Sequence, residues 1–159
     1  MAATKVNARD VYMEIEDFLS PGTWVAFRTA SAGSGEGGIN TITISHEYET
    51  TDTTTFGSQG RAEGQNMQEG KTFALEGFLL KDASTGALDP AMALVEAQAA
   101  RLGADSLCGF RFALPGDTTW EVWADAYFQL GDKGGGNNDK MSWSCTVTRS
   151  GPSTTAAKP

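Results

Sequence analysis

His46 is the only histidine in the 159 residues, so an imidazole metal cluster is excluded and any catalytic relay would have to use this one ring. It falls between Ile44 and Tyr48 at a period of two, on the apolar side of a strand pattern, where it reads as a packing histidine with a hydrogen-bond partner. Glu47, Glu49 and Asp52, or Asp117 with Glu121, would suit glycoside hydrolysis only if two of them faced each other across a cleft. They read more simply as solvated carboxylates. Cys108 and Cys145 lie on strand-like segments with no further Cys or His at ligand spacing, so buried free thiols are expected, with a cross-strand disulfide as the lesser alternative.

Two glycine motifs suggest phosphate binding and fail on context. Gly33-x-Gly35-x-x-Gly38 spells the dinucleotide fingerprint, but strand-period sequence follows it where a helix N-terminus must open. Gly70-Lys71-Thr72 has its earlier glycine at Gly64, one residue too far for a phosphate loop, and Lys71 enters a strand. No cofactor, metal site or catalytic constellation is expected, and the chain does not read as an enzyme.

Composition narrows the partners. A net charge of −8 and a pI near 4.5 lack the clustered cations that grip a phosphate backbone, although an acidic wall can face DNA without holding it. Apolar runs such as 78–80 are too short to span a bilayer, and the N-terminus lacks the order of a signal peptide, so the chain is expected to stay in the cytosol where it is made.

The positioning elements are mostly strands. Residues 9–16 and 24–29 have strand pattern, separated by the Ser20-Pro21-Gly22 turn. Residues 39–49 alternate Ile42, Ile44, His46 and Tyr48 against Thr41, Thr43, Ser45, Glu47 and Glu49. Residues 50–69 show no sustained period and read as a long polar loop, a length that in a compact domain points to function or a partner. Residues 71–81 resume a strand, expected to be covered on both sides at its far end by Phe78 and Leu80. Asp89, Pro90 and Gly103 bracket one helix with the stripe Met92, Val95, Ala99 and Leu102. Strands over 107–114, 120–130 and 140–149 follow, the last alternating Met141, Trp143, Cys145 and Val147 against Ser142, Ser144, Thr146 and Thr148. The expected core is Ile42, Ile44, Tyr48, Phe73, Leu75, Phe110, Phe112, Val122, Phe128, Trp143 and Val147.

The polar strand running into Asp52-Thr53-Thr54-Thr55-Phe56, the segment Gly70 to Gly77, the single helix, and Ser142 to Gly151 together resemble the tail tube, or major tail, proteins of long-tailed, non-contractile bacteriophages. The likeness spans residues 9–151. It implies a mainly β fold, a β-sandwich or partial barrel of about seven strands with one flanking helix, with arms at 1–8 and 152–159. It further implies a virion protein, assembled in the host cytoplasm, whose hexameric rings stack into the tube that conducts DNA during genome ejection. Tape-measure, tail-terminator and distal tail proteins would be its further partners, DNA would pass only transiently, and no membrane would be bound.

On that likeness the hydroxyl-rich faces are expected to line the lumen: Thr41, Thr43, Ser45, Glu47, Glu49, Ser142, Ser144, Thr146 and Thr148, joined by Glu121, Asp125 and Gln129. Residues 50–69 are expected to pack on a neighbouring subunit through Asp52, Phe56, Arg61 and Met67, and both arms to order only in the assembled tube. A stand-alone carbohydrate-binding β-sandwich with Trp120, Trp123 or Trp143 as its platform is the alternative; an enzyme using Glu47, Glu49 or Asp52 is a weaker third.

Overall fold

The computed structural model describes residues 2–27 and 38–159. Its strands are β1 (Tyr12–Glu16), β2 (Trp24–Ala26), β3 (Ile39–Asp52), β4 (Gly64–Phe78), β5 (Cys108–Ala113), β6 (Thr119–Leu130), β7 (Ser142–Arg149) and β8 (Thr154–Ala157), with one helix, α1 (Pro90–Ala99). All pairings are antiparallel, in the order β2-β1-β5-β6-β7-β4-β3, and β8 pairs with β6 beyond the end of β7. The fold is mainly β, as expected, with one strand more than the sequence pattern suggests.

The sheet does not close into a barrel, but it folds over. β6 and β7 separate β5 from β4, which in a flat sheet would hold them roughly 14 Å apart. Instead the Phe73 ring of β4 lies 5.3 Å from Phe110 and 5.0 Å from Phe112 of β5, and Trp123 of β6 lies 5.5 Å from each of the latter. Val11, Met13, Ile15, Leu75, Phe128, Trp143 and Val147 extend this cluster. α1 covers it from the side of β6, β1 and β2, presenting Ala91, Met92, Val95 and Gln98. Pro90 opens the helix with its preset φ and no missing bond. The helix stops at Ala99, so Leu102 leaves the expected stripe and is exposed.

Several expectations are corrected. The long loop at 50–69 is a hairpin: β3 runs to Asp52, β4 begins at Gly64, and only 53–63 connect them. The polar residues on both faces hid it, because a strand that buries neither side shows no period. The C-terminal segment is β8 on this subunit's own β6, from Thr119↔Ala157 to Val122↔Thr154, rather than an arm awaiting a partner. Lys158 reinforces it, its Nζ 4.1 Å over Tyr12 and 5.5 Å over Trp120, a ring that Arg111 also contacts while pairing with Glu14 at 2.6 Å. Tyr48 is exposed, Val122 only half-buried, and Phe78 exposed rather than covered. Arg28, Thr29, and Gly33 and Gly35 of the glycine motif lie outside the described residues.

Cys108 and Cys145 are free and buried, and burial pushes both thiols up to about 12. Phe112 is 4 % exposed and touches both halves of the folded sheet. Phe112→Ala should therefore cost about 3–5 kcal/mol in urea unfolding; a loss under about 1 kcal/mol would place the ring outside the core.

Candidate functional site

The reverse of the core face is a polar surface shared by β3, β4, β7 and β6. Cross-strand register sets its rows: Thr41, Glu76 and Ser144; Thr43, Ala74, Thr146 and Gln129; Ser45, Thr72, Thr148 and Tyr127. Ser142 lies opposite Phe78 at one end, and Glu47 and Glu49 prolong the β3 column at the other. Directly opposed Thr and Ser side chains suit one another on a pleated surface. Glu47, Glu49 and Glu76 are the charges in these rows, and none of the row residues is a cation. The surface thus combines short hydroxyls with modest negative charge.

Glu121 does not belong to it. On β6, Trp123 and Ala126 are both buried although three residues apart, because an extra residue lies opposite the Cys108–Phe110 step of β5. This bulge reverses the facing of every position before it. Gln129 sits in the hydroxyl rows, Asp125 is exposed within the bulge, and Glu121 is on the opposite face with Trp123. There its Oε1 accepts from Lys71 Nζ at 2.8 Å, Ser153 Oγ at 3.1 Å and Trp123 Nε1 at 3.3 Å.

The second feature is the hairpin. β4 pairs with β7 only from Thr72 onward, whereas its pairing with β3 continues to Asp52↔Gly64. Residues 50–70 therefore run on beyond the β7 pairing, held to the body of the sheet by Arg149, which donates to the Glu69 carbonyl. The tip is tied by local bonds: Thr54 N–H donates to Asp52 Oδ1 at 2.8 Å, and Thr54 Oγ1 donates to the Glu63 carbonyl at 3.2 Å; the Thr54 side chain first, and its backbone N–H second, lower the Asp52 pKa. Thr55 and Ser58 form a reciprocal capping box, and Gln59 and Gly60 make the left-handed turn. Arg61 follows in the exposed tip. On this ordered frame Phe56 is fully exposed, Met67 is 60 % exposed and Tyr48 56 %.

The remaining candidates are placed as follows. His46 is exposed and lines a shallow cleft with Tyr48, Met67 and Lys71, because its strand has run past the core. Trp120, Trp123 and Trp143 are at most 4 % exposed and offer no stacking platform. Glu47, Glu49 and Asp52 follow one another along the exposed β3 strand, with Asp52 engaged in the turn. No group of three or more ligand-type side chains suited to a metal occurs among the described residues. No helix among them is long and apolar enough to cross a membrane.

No family model and no curated protein matches the chain. Solved structures do. The chain is similar to one from the tail of an empty gene transfer agent particle, refined helically with C6 symmetry, at TM-score 0.67 and 19 % identity over 95 % of this chain and 98 % of that one. A chain of the native gene transfer agent virion matches at TM-score 0.58 and 17 % identity, over 95 % and 98 %. A chain of the sheath–tube complex of an extracellular contractile injection system, in its extended state, matches at TM-score 0.56 and 10 % identity, over 97 % and 93 %. At these identities the likeness is one of fold, and it covers nearly the whole chain.

The Glu121 contacts fix a pH dependence. Burial raises its pKa, but the bonds from Lys71, Trp123 and Ser153 and the Lys71 charge outweigh burial and hold it below the ordinary value. A depressed carboxyl stabilises the fold above its unfolded pKa of about 4.3, and that contribution disappears as pH falls through the folded value. In urea unfolding, the stability advantage of the natural chain over Glu121→Gln should shrink steadily below about pH 5. A difference independent of pH would contradict the ion-paired assignment.

Proposed function

We propose that this chain is the structural subunit of a tail tube, in which copies close into six-fold rings, the rings stack, and the β3-β4-β7-β6 hydroxyl face lines the channel. The observation that carries the proposal is that face: a four-strand surface turned away from the core, rich in Thr and Ser, with carboxylates and no cation in its rows. Sliding DNA needs a wall without strong binding sites. Hydrated hydroxyls and a weakly repulsive charge supply one, because nothing in the rows neutralises phosphates.

The open edges support the same reading. Among the described residues β3 ends the strand order, a 14-residue edge strand with neither proline nor lysine to block pairing, a hazard that ring closure removes. The C6 symmetry of the tail that contains a similar chain agrees with six copies per ring. In this reading the hairpin is the contact between subunits, with Phe56 and Met67 as anchors and Asp52 and Arg61 at its polar rim. The subunit would work in the virion tail of a non-contractile particle, assembled in the host cytoplasm. It would meet tape-measure, terminator and distal tail proteins at the ends of the tube.

Replacing Thr50 to Met67 by Asn-Gly, a two-residue turn that rejoins Glu49 to Gln68, should leave a folded subunit that no longer polymerises, read by circular dichroism and electron microscopy. Normal tubes from this variant would sink the hairpin's role.

Channel lining has its own test, since the two native thiols are buried and burial holds them in the protonated form. Thr146→Cys should react with both a small maleimide and a bulky polyethylene-glycol maleimide in dispersed subunits, but only with the small one in finished tubes. Equal labelling by the bulky reagent in both states would show that the face lies outside the channel.

A further inference from the structure

β4 loses its β7 partner on passing from Thr72 to Lys71, so Glu69, Gly70 and Lys71 join the projecting hairpin to the body of the sheet and are its candidate pivot. Both flanking side chains of that pivot are held from elsewhere. Lys71 Nζ donates to Glu121 Oε1 of β6 at 2.8 Å. The Arg149 guanidinium, at the end of β7, donates to the Glu69 carbonyl at 3.2 Å and lies 3.5 Å from its carboxylate. Ser153, in the segment leading to β8, joins these anchors: its Oγ accepts from Arg149 at 2.7 Å and donates to Glu121 at 3.1 Å.

We propose that Glu121 is a positioning residue that couples docking of the C-terminal strand to the seating of the hairpin, so that tail displacement frees the hairpin pivot. With the tail docked the Arg149 side chain is 8 % exposed, and those of Lys71 and Glu121 are 20 % and 28 % exposed, so the bonds through Ser153 are partly shielded from water. Gly151, at φ +88°, is the point about which the tail swings. β8 is short and mostly exposed, and Lys158 over Tyr12 and Trp120 adds a contact a few residues beyond the network. An element of this kind exchanges between docked and free states more readily than the core strands do. Coupling is reciprocal, so a neighbour that fixes the hairpin also favours the docked tail. The consequence for assembly rests on reading the hairpin as the contact between subunits; the coupling itself belongs to the single chain.

The test is amide hydrogen exchange on dispersed subunits of the natural chain, Ser153→Ala, Glu121→Gln, their double variant, and a chain ending at Gly151. Exchange at residues 65–70 should quicken about tenfold in each single variant. The double variant should add little to either single change, while β5 amides keep their natural rates. Ser153→Ala retains the whole tail, so the test stands even if the shortened chain does not fold. Unchanged exchange at 65–70 in Ser153→Ala and Glu121→Gln would overturn the coupling, as would fully additive effects in the double variant. Dispersed subunits are read throughout, so a failure here leaves the tube proposal intact, and failure to form tubes leaves this result standing.

Discussion

The contact of Phe73 with Phe110 and Phe112 is the constraint on which the rest of the molecule depends, because it brings together strands that two others separate in the sheet. Edge-to-face and tilted packing among these rings and Trp123 folds the sheet over one apolar interior, which α1 caps on its open side. One interior is all that a chain of this size sustains. The other face of every strand must then meet water, the chain's own tail, or another molecule. On β1, β5 and the first half of β6 the Glu14–Arg111 pair, Trp24 and Trp120 occupy that face, with Lys158 from the tail. On β3, β4, β7 and the second half of β6 hydroxyls take it, and no element among the described residues pairs across them.

Two surfaces follow from that division, and they differ in kind. The hydroxyl face is broad and regular, its rows set by cross-strand register over four strands. The hairpin is the reverse: it projects beyond the core, its tip is fixed by its own hydrogen bonds, and it displays Phe56, Met67 and Tyr48 to solvent. Ordering that tip before any partner arrives lowers the entropy a contact must offset. In the proposed tube the first surface would serve as the wall and the second as the contact between subunits.

The faces of β3 and β7 were legible in the sequence because each strand keeps a strict period of two where one side is buried. Phe73, Leu75, Phe110, Phe112, Phe128, Trp143 and Val147 are core residues, as their pattern predicts. What escaped the sequence lies where that physical link breaks. The hairpin buries neither side, so its strands show no contrast, and a register shift between Glu49 and Thr50 disturbs what contrast remains. Tyr48 continues the apolar column in sequence, yet the core has ended before it. Glu121, Asp125 and Gln129 share a phase in an ideal strand, and only the extra β6 residue opposite β5 moves Glu121 across. The tail strand Thr-Thr-Ala-Ala carries no pattern, because it is held by ladder bonds, Ser153 and Lys158 rather than by burial.

The central claim is that the hydroxyl face becomes the inner wall of a tube of many copies. Electron cryomicroscopy of the purified chain, after assembly and helical reconstruction, tests it most directly. The account predicts stacked six-fold rings around an open channel, with Thr43, Thr146 and Gln129 on the inner wall and Phe56 seated against another copy. Persistent monomers under every assembly condition, or tubes whose inner wall is another face with these hydroxyls buried between subunits, would contradict it.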